Sequence, residues 1–82
     1  VELGAKKAAE RLASFLIQWY DNNPVTAQGV YLPLSRGELG ELLGLTIETV
    51  SRFFSEWKRQ GLVSEHKDYF LLLDRKALAN MA

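Results

Sequence analysis

Five polar side chains recur along one side of a predicted helix. They are Glu48, Ser51, Arg52, Ser55 and Arg59, at i, i+3, i+4, i+7 and i+11. Their types suit the reading of base edges. Arginine can donate two hydrogen bonds to guanine O6 and N7, glutamate can accept from cytosine N4, and serine can do either. The same pattern also describes a solvated face, with a Glu48–Arg52 i,i+4 ion pair worth about 0.2–0.5 kcal/mol. Spacing alone leaves the two readings open.

The neighbouring residues say how that face would be held. Ser35 can N-cap a first helix, and Glu38 three residues on completes a capping box. Leu39, Leu42 and Leu43 give that helix one apolar side. Gly44 stops it, and Thr46 caps a second helix beginning at Ile47. Val50, Phe53, Phe54 and Trp57 form the core stripe of the second helix, and Gly61 ends it. Two helices joined through a glycine by about three residues predict a helix-turn-helix. Gly40 lies inside the first helix, where glycine costs about 1 kcal/mol relative to alanine. That cost is consistent with a second helix crossing too close for a side chain.

Before this unit, Ala5 to about Tyr20 reads as a helix, with Ala9, Leu12, Ala13, Leu16, Trp19 and Tyr20 on one side. Its aromatic residues are expected in the core. Val1 to Gly4 reads as a cut across a longer chain. Residues 21–29 are punctuated by Asn, Pro and Gly and read as a loop. Residues 30–34 read as a short strand, with Pro33 where no ladder bond is required. After the unit, residues 62–65 and 69–73 read as a hairpin turning at His66–Lys67–Asp68. Asp74 or its neighbour opens a last short helix, with Ala77, Leu78 and Met81 turned to the core. The expected fold is α+β and mainly α: a winged helix-turn-helix with a small antiparallel β-hairpin wing, in one domain over residues 1–82.

Composition removes several function classes. The 82 residues hold no Cys and one His, so no thiolate site, disulfide framework or His cluster can be built. No nucleophile–base–orienter set or glycine-rich phosphate loop is present, so an enzyme is not expected. No apolar run approaches a membrane span, and the absence of Cys fits a reducing cytoplasm. Ten basic residues balance ten acidic ones, and five balance five between Ser35 and Lys67. A domain gripping DNA mainly by phosphate attraction would be more basic. One copy is therefore expected to bind weakly, and useful affinity to need two copies on two half-sites.

The run ELGELLGLTIETVSRFFSEWKRQGLV resembles the DNA-binding domain of the Crp/Fnr family of bacterial transcription regulators. E-T-V-S-R at Glu48–Arg52 is similar to the E-x-x-S-R signature of the fumarate-and-nitrate-reduction branch. The similarity extends upstream to AKKAAERLASFL and downstream through the hairpin. The resemblance implies that Glu48, Ser51 and Arg52 read a TTGAT-like half-site. Ile47 stands where the cyclic-AMP-receptor branch has a DNA-contacting Arg, which argues against that branch. The resemblance also implies double-stranded DNA as partner, a homodimer in the full-length protein, and a dimerisation helix and sensory domain missing from this fragment. The fragment itself is expected to be monomeric or weakly associated. No cofactor is expected in it; an iron–sulfur cluster, haem, cyclic nucleotide or 2-oxoglutarate would belong to the missing part. The resemblance also implies an RNA polymerase contact for the loop at 21–29, because the equivalent loop in the cyclic-AMP-receptor branch touches the α subunit; a plain connection is the other reading. By position, Ser35 and Arg36, and Thr46 and Thr49, lie at helix N-termini suited to backbone phosphates. His66 and Lys67, at the wing tip, are further phosphate candidates. A winged helix used only for protein–protein contact is the alternative reading.

Overall fold

A computed structural model describes residues 2–82, with side chains from Ala8 onward. In chain order the elements are α1 (Glu2–Asp21), β1 (Val30–Tyr31), α2 (Arg36–Leu43), α3 (Ile47–Arg59), β2 (Val63–His66), β3 (Tyr69–Leu72) and α4 (Arg75–Ala79). Val1 lies outside the described residues; α1 already covers Glu2–Gly4, which the sequence pattern left outside the helix. The result is a winged helix-turn-helix, mainly α.

The apolar stripes meet in one core. Leu12, Ala13 and Leu16 of α1, Leu39 of α2, and Val50, Phe54 and Trp57 of α3 all contribute to it. Val30, Val63, Phe70 and Leu78 complete the cluster. Burying a side chain such as Phe54, which is wholly inaccessible, contributes about 1.5–3 kcal/mol relative to leaving it exposed. The aromatic residues of α1 join this core from its margin: Trp19 is half-buried and donates its indole N–H to the Tyr31 carbonyl at 2.7 Å.

The caps fall where their chemistry requires. Ser35 Oγ accepts from the Glu38 N–H at 3.1 Å, and Glu38 Oε1 accepts from the Ser35 N–H at 2.8 Å. Gly44 ends α2 in the left-handed region at φ 73°, where an L side chain is strained. Thr46 caps α3, and Asp74 caps α4 by accepting from the Ala77 N–H at 3.1 Å.

Gly40 is required by a close approach, though of the turn rather than of the second helix. A Cβ there would stand 2.5 Å from the Leu45 carbonyl oxygen. Leu42 departs from its expected inward position and is 60% exposed. The turn packs onto Gly40, so the covered side of α2 runs along Leu39, Gly40 and Leu43. At 100° per residue, that rotation carries Leu42 out.

The wing is larger than a hairpin. β1 joins it, giving a three-stranded antiparallel sheet in the order β1-β3-β2. Val30 lies opposite Phe70, and Glu65 lies opposite Phe70 from the other side. β1 is shorter than expected: only Val30 and Tyr31 are in the strand. Leu32 still donates its N–H to the Asp68 carbonyl at 2.7 Å, and Pro33, which cannot donate, follows. The hairpin turn is tighter than expected, with His66 paired to Tyr69 and only Lys67 and Asp68 between them.

Candidate nucleic-acid interface

The proposed readers begin within one turn of the α3 N-terminus. Thr46 Oγ1 accepts from the Thr49 N–H at 3.1 Å and donates to Thr49 Oγ1 at 2.9 Å. This leaves the Thr49 hydroxyl proton, and the N–H groups of Ile47 and Glu48, without an intrahelical partner. Glu48 and Arg52 are exposed one turn apart, and Ser51 is half-buried between them. Their Cα atoms span about 6 Å along the axis, a length comparable to two base steps.

Glu48 and Arg52 do not form the ion pair that a solvated face would use; no contact within 4.0 Å joins them among the described residues. The Arg52 guanidinium instead leans toward the Phe53 ring, 5.6 Å from its centroid. Phe53 is only half-buried and stacks on Trp57 at 5.6 Å. The side chains of Glu48, Ser51 and Arg52 thus carry no hydrogen bond or salt bridge within the described part of the chain. Arg59, further along the face, is held by Glu56 on its own helix.

Of the phosphate candidates, Ser35 uses its oxygen as a cap and keeps its hydroxyl proton available. His66 and Lys67 are exposed at the wing tip. Lys67 takes φ 56°, the single positive φ among described non-glycine residues, at a turn position where glycine is usual. Arg36 departs from the expected role. Its Nη1 and Nη2 donate to Glu65 Oε2 and Oε1 at 2.8 and 2.7 Å, and its guanidinium carbon lies 4.0 Å from the Phe54 ring centroid. The fork is spent on Glu65 and the stack on Phe54. What Arg36 can still offer a phosphate is its backbone N–H at the α2 N-terminus.

Two features escaped sequence reading. Ile47 is 51% exposed beside Glu48, an apolar side chain on an otherwise polar edge. Glu65 gathers Arg36 and, at 2.9 Å, Lys58. Burial pushes the Glu65 carboxyl up, but the hydrogen bonds and charges of Arg36 and Lys58 outweigh it and hold the group below its ordinary value. The strand alternation carried a signal for this. Val63 and Glu65 lie two apart, so an inward Val63 places an acid where it needs cations.

A family profile described as a Crp-like helix-turn-helix domain matches residues 10–81. The chain belongs to the Crp/Fnr family. Electron transport regulator A of Shewanella oneidensis is 35% identical over 98% of the chain and 33% of its own length. The fumarate and nitrate reduction regulatory protein of Escherichia coli is 32% identical over the same shares. The solved structure of FixK2 from Bradyrhizobium japonicum superposes with a TM-score of 0.81 at 37% identity, covering 90% of this chain and 37% of that one. The chain spans about a third of the length of the curated relatives it matches. The first two relatives carry the names of regulators, and others are named as transcriptional activators; the matching profile is that of a helix-turn-helix domain, not of an enzyme. No helix in the described part of the domain is long and apolar enough to cross a membrane.

Proposed function

We propose that this chain is the DNA-binding output domain of a dimeric Crp/Fnr transcription regulator, with α3 in the major groove of a TTGAT-like half-site. The observation that carries this reading is the unpaired trio Glu48, Ser51 and Arg52 on the first turns of a capped helix. Arg52 donates to guanine, Glu48 accepts from cytosine or adenine amino groups, and Ser51 adapts to its neighbours. Ile47 supplies apolar contact with a thymine methyl. Ser35, Thr46, Thr49, His66 and Lys67, with the Arg36 N–H, hold phosphates and set register. Dimerisation and signal sensing fall to the rest of the protein, since the chain spans about a third of its relatives' length. The loop at 21–29 is the candidate RNA polymerase contact.

The test is an NMR titration of the labelled chain with a duplex carrying TTGAT and its inverted copy ATCAA, beside a scrambled duplex, at two salt concentrations. Selective shifts at Ile47, Glu48, Ser51, Arg52 and Lys67 on the specific duplex are expected. Equal, salt-erased shifts on both duplexes would reject the half-site. No shift on either would favour the protein-contact reading, which the balanced charge and the internally paired Arg36, Lys58 and Arg59 support.

A further inference from the structure

Glu65 is the one wing residue, among those described, whose side chain hydrogen-bonds or ion-pairs with either helix of the helix-turn-helix. It reaches both. Arg36 comes from the start of α2 and Lys58 from the last turn of α3, and the two converge on one carboxylate. The Glu65 side chain is 19% exposed, against 31% for Arg36 and 43% for Lys58. The Arg36 fork is bidentate and its face is closed by the Phe54 ring, so the geometry is directional rather than a loose surface pair. Beyond Glu65 the hairpin carries only exposed residues to its tip: His66, Lys67 and Asp68.

We infer that Glu65 is a positioning residue for DNA binding, latching the wing to both helices so that Lys67 meets the phosphates while α3 lies in the groove. This rests on the proposed phosphate role of the wing. The latch works by preorganisation. A tip already held at its contact distance loses less freedom on binding than a swinging one. It withdraws the Arg36 fork from the phosphate surface in exchange for a fixed wing angle. An opposite role is physically possible for the same acid: masking two cations that would otherwise hold phosphates. The two roles predict opposite signs.

The test compares wild type, Glu65→Gln, Lys67→Ala and the double variant, titrating specific and scrambled duplexes across salt. In wild type, Lys67→Ala is expected to reduce the salt slope by about one. Glu65→Gln is expected to weaken both duplexes alike and to remove about the same slope, so its cost grows about threefold from about 200 to about 50 mM salt. In the double variant, Lys67→Ala is expected to add almost nothing. Tighter binding by Glu65→Gln with a steeper slope would establish masking and overturn the latch. Additive losses would overturn it too. An unchanged slope for Lys67→Ala in wild type would remove the wing from the phosphate set, a different failure that takes the latch with it. Arg36→Met covers the case of a poorly folded Glu65→Gln. It keeps Phe54 covered, and the latch requires it to abolish the effect of Lys67→Ala as well; a retained effect would overturn the latch.

Discussion

Gly37 and Gly40 lie one turn apart in α2, and the same substitution should have opposite effects at them. Alanine is favoured over glycine in a helix by about 1 kcal/mol. At Gly37 an added Cβ meets nothing nearer than 3.9 Å, where Ile47 Cδ1 and Ser35 Oγ lie. Gly37→Ala should therefore stabilise the fold by about 0.5–1 kcal/mol. At Gly40 the added Cβ would stand 2.5 Å from the Leu45 carbonyl oxygen and 3.4 Å from its carbon. The obstacle is backbone, so no rotamer change relieves it. The same segment donates the Leu45 N–H to the Gly40 carbonyl at 2.7 Å, and moving the turn out stretches that bond. Overpacking costs about 1–3 kcal/mol, which exceeds the helix gain. Gly40→Ala should come out destabilised by up to about 2 kcal/mol net. For a domain this size, about 1 kcal/mol moves Tm by about 4–8 °C. Thermal unfolding followed by circular dichroism would show Gly37→Ala melting above wild type and Gly40→Ala below it. A rise for both would mean that the turn yields freely, and would refute the account of the tight approach.

Arg52→Ala should cost about 1–3 kcal/mol on the cognate duplex and relax preference at one base pair; equal loss on a scrambled duplex in an anisotropy titration would exclude base readout by Arg52. Lys67→Gly should separate stability from binding: it relieves the positive φ and raises the melting temperature, yet lowers the salt slope by about one. Calorimetry and titration of the same sample would check both halves. The Glu65 carboxyl is held low in the folded chain, so its contribution is fully present above the unfolded value of about 4.3. It is lost as pH falls through the lower folded value. Glu65→Gln should cost about 1–2 kcal/mol at neutral pH, and this gap from wild type should close as urea unfolding is repeated at successively lower pH.

Local chemistry was legible in the sequence wherever both partners lay within a few residues. The Ser35–Glu38 box, the Gly44 stop and the Thr46 and Asp74 caps are decided inside a single turn of chain. The Val50, Phe54 and Trp57 stripe needs only two turns of one helix. Features that depend on distant partners were not legible. Glu65 looked like one more charge on a hairpin until Arg36, 29 residues away, was placed against it. Residues 30–34 read as a strand, but nothing local said that β1 would pair with β3. Leu42 was assigned inward by period alone, and the packing of the turn onto Gly40 rotated the helix away from that choice. Spacing put Glu48, Ser51 and Arg52 on one face with Ser55 and Arg59, and the family resemblance singled the three out as candidate readers. Their freedom from one another was visible only once Arg52 was seen leaning on Phe53.

The sheet order β1-β3-β2 makes the last strand in the chain the middle one in space. The α2–turn–α3 unit depends on short-range contacts, whereas β1 must wait for Phe70 to arrive before it has a ladder. Closing a loop of about 40 residues costs about 3 kcal/mol of chain entropy. Local contacts form first when the remote ones carry that penalty. During synthesis, α3 can thus pack on α2 before the side of Val30 that awaits Phe70 has been covered. The arrival of β3 decides when that apolar surface disappears, so a chain stalled short of it would present α3 on an unfinished core.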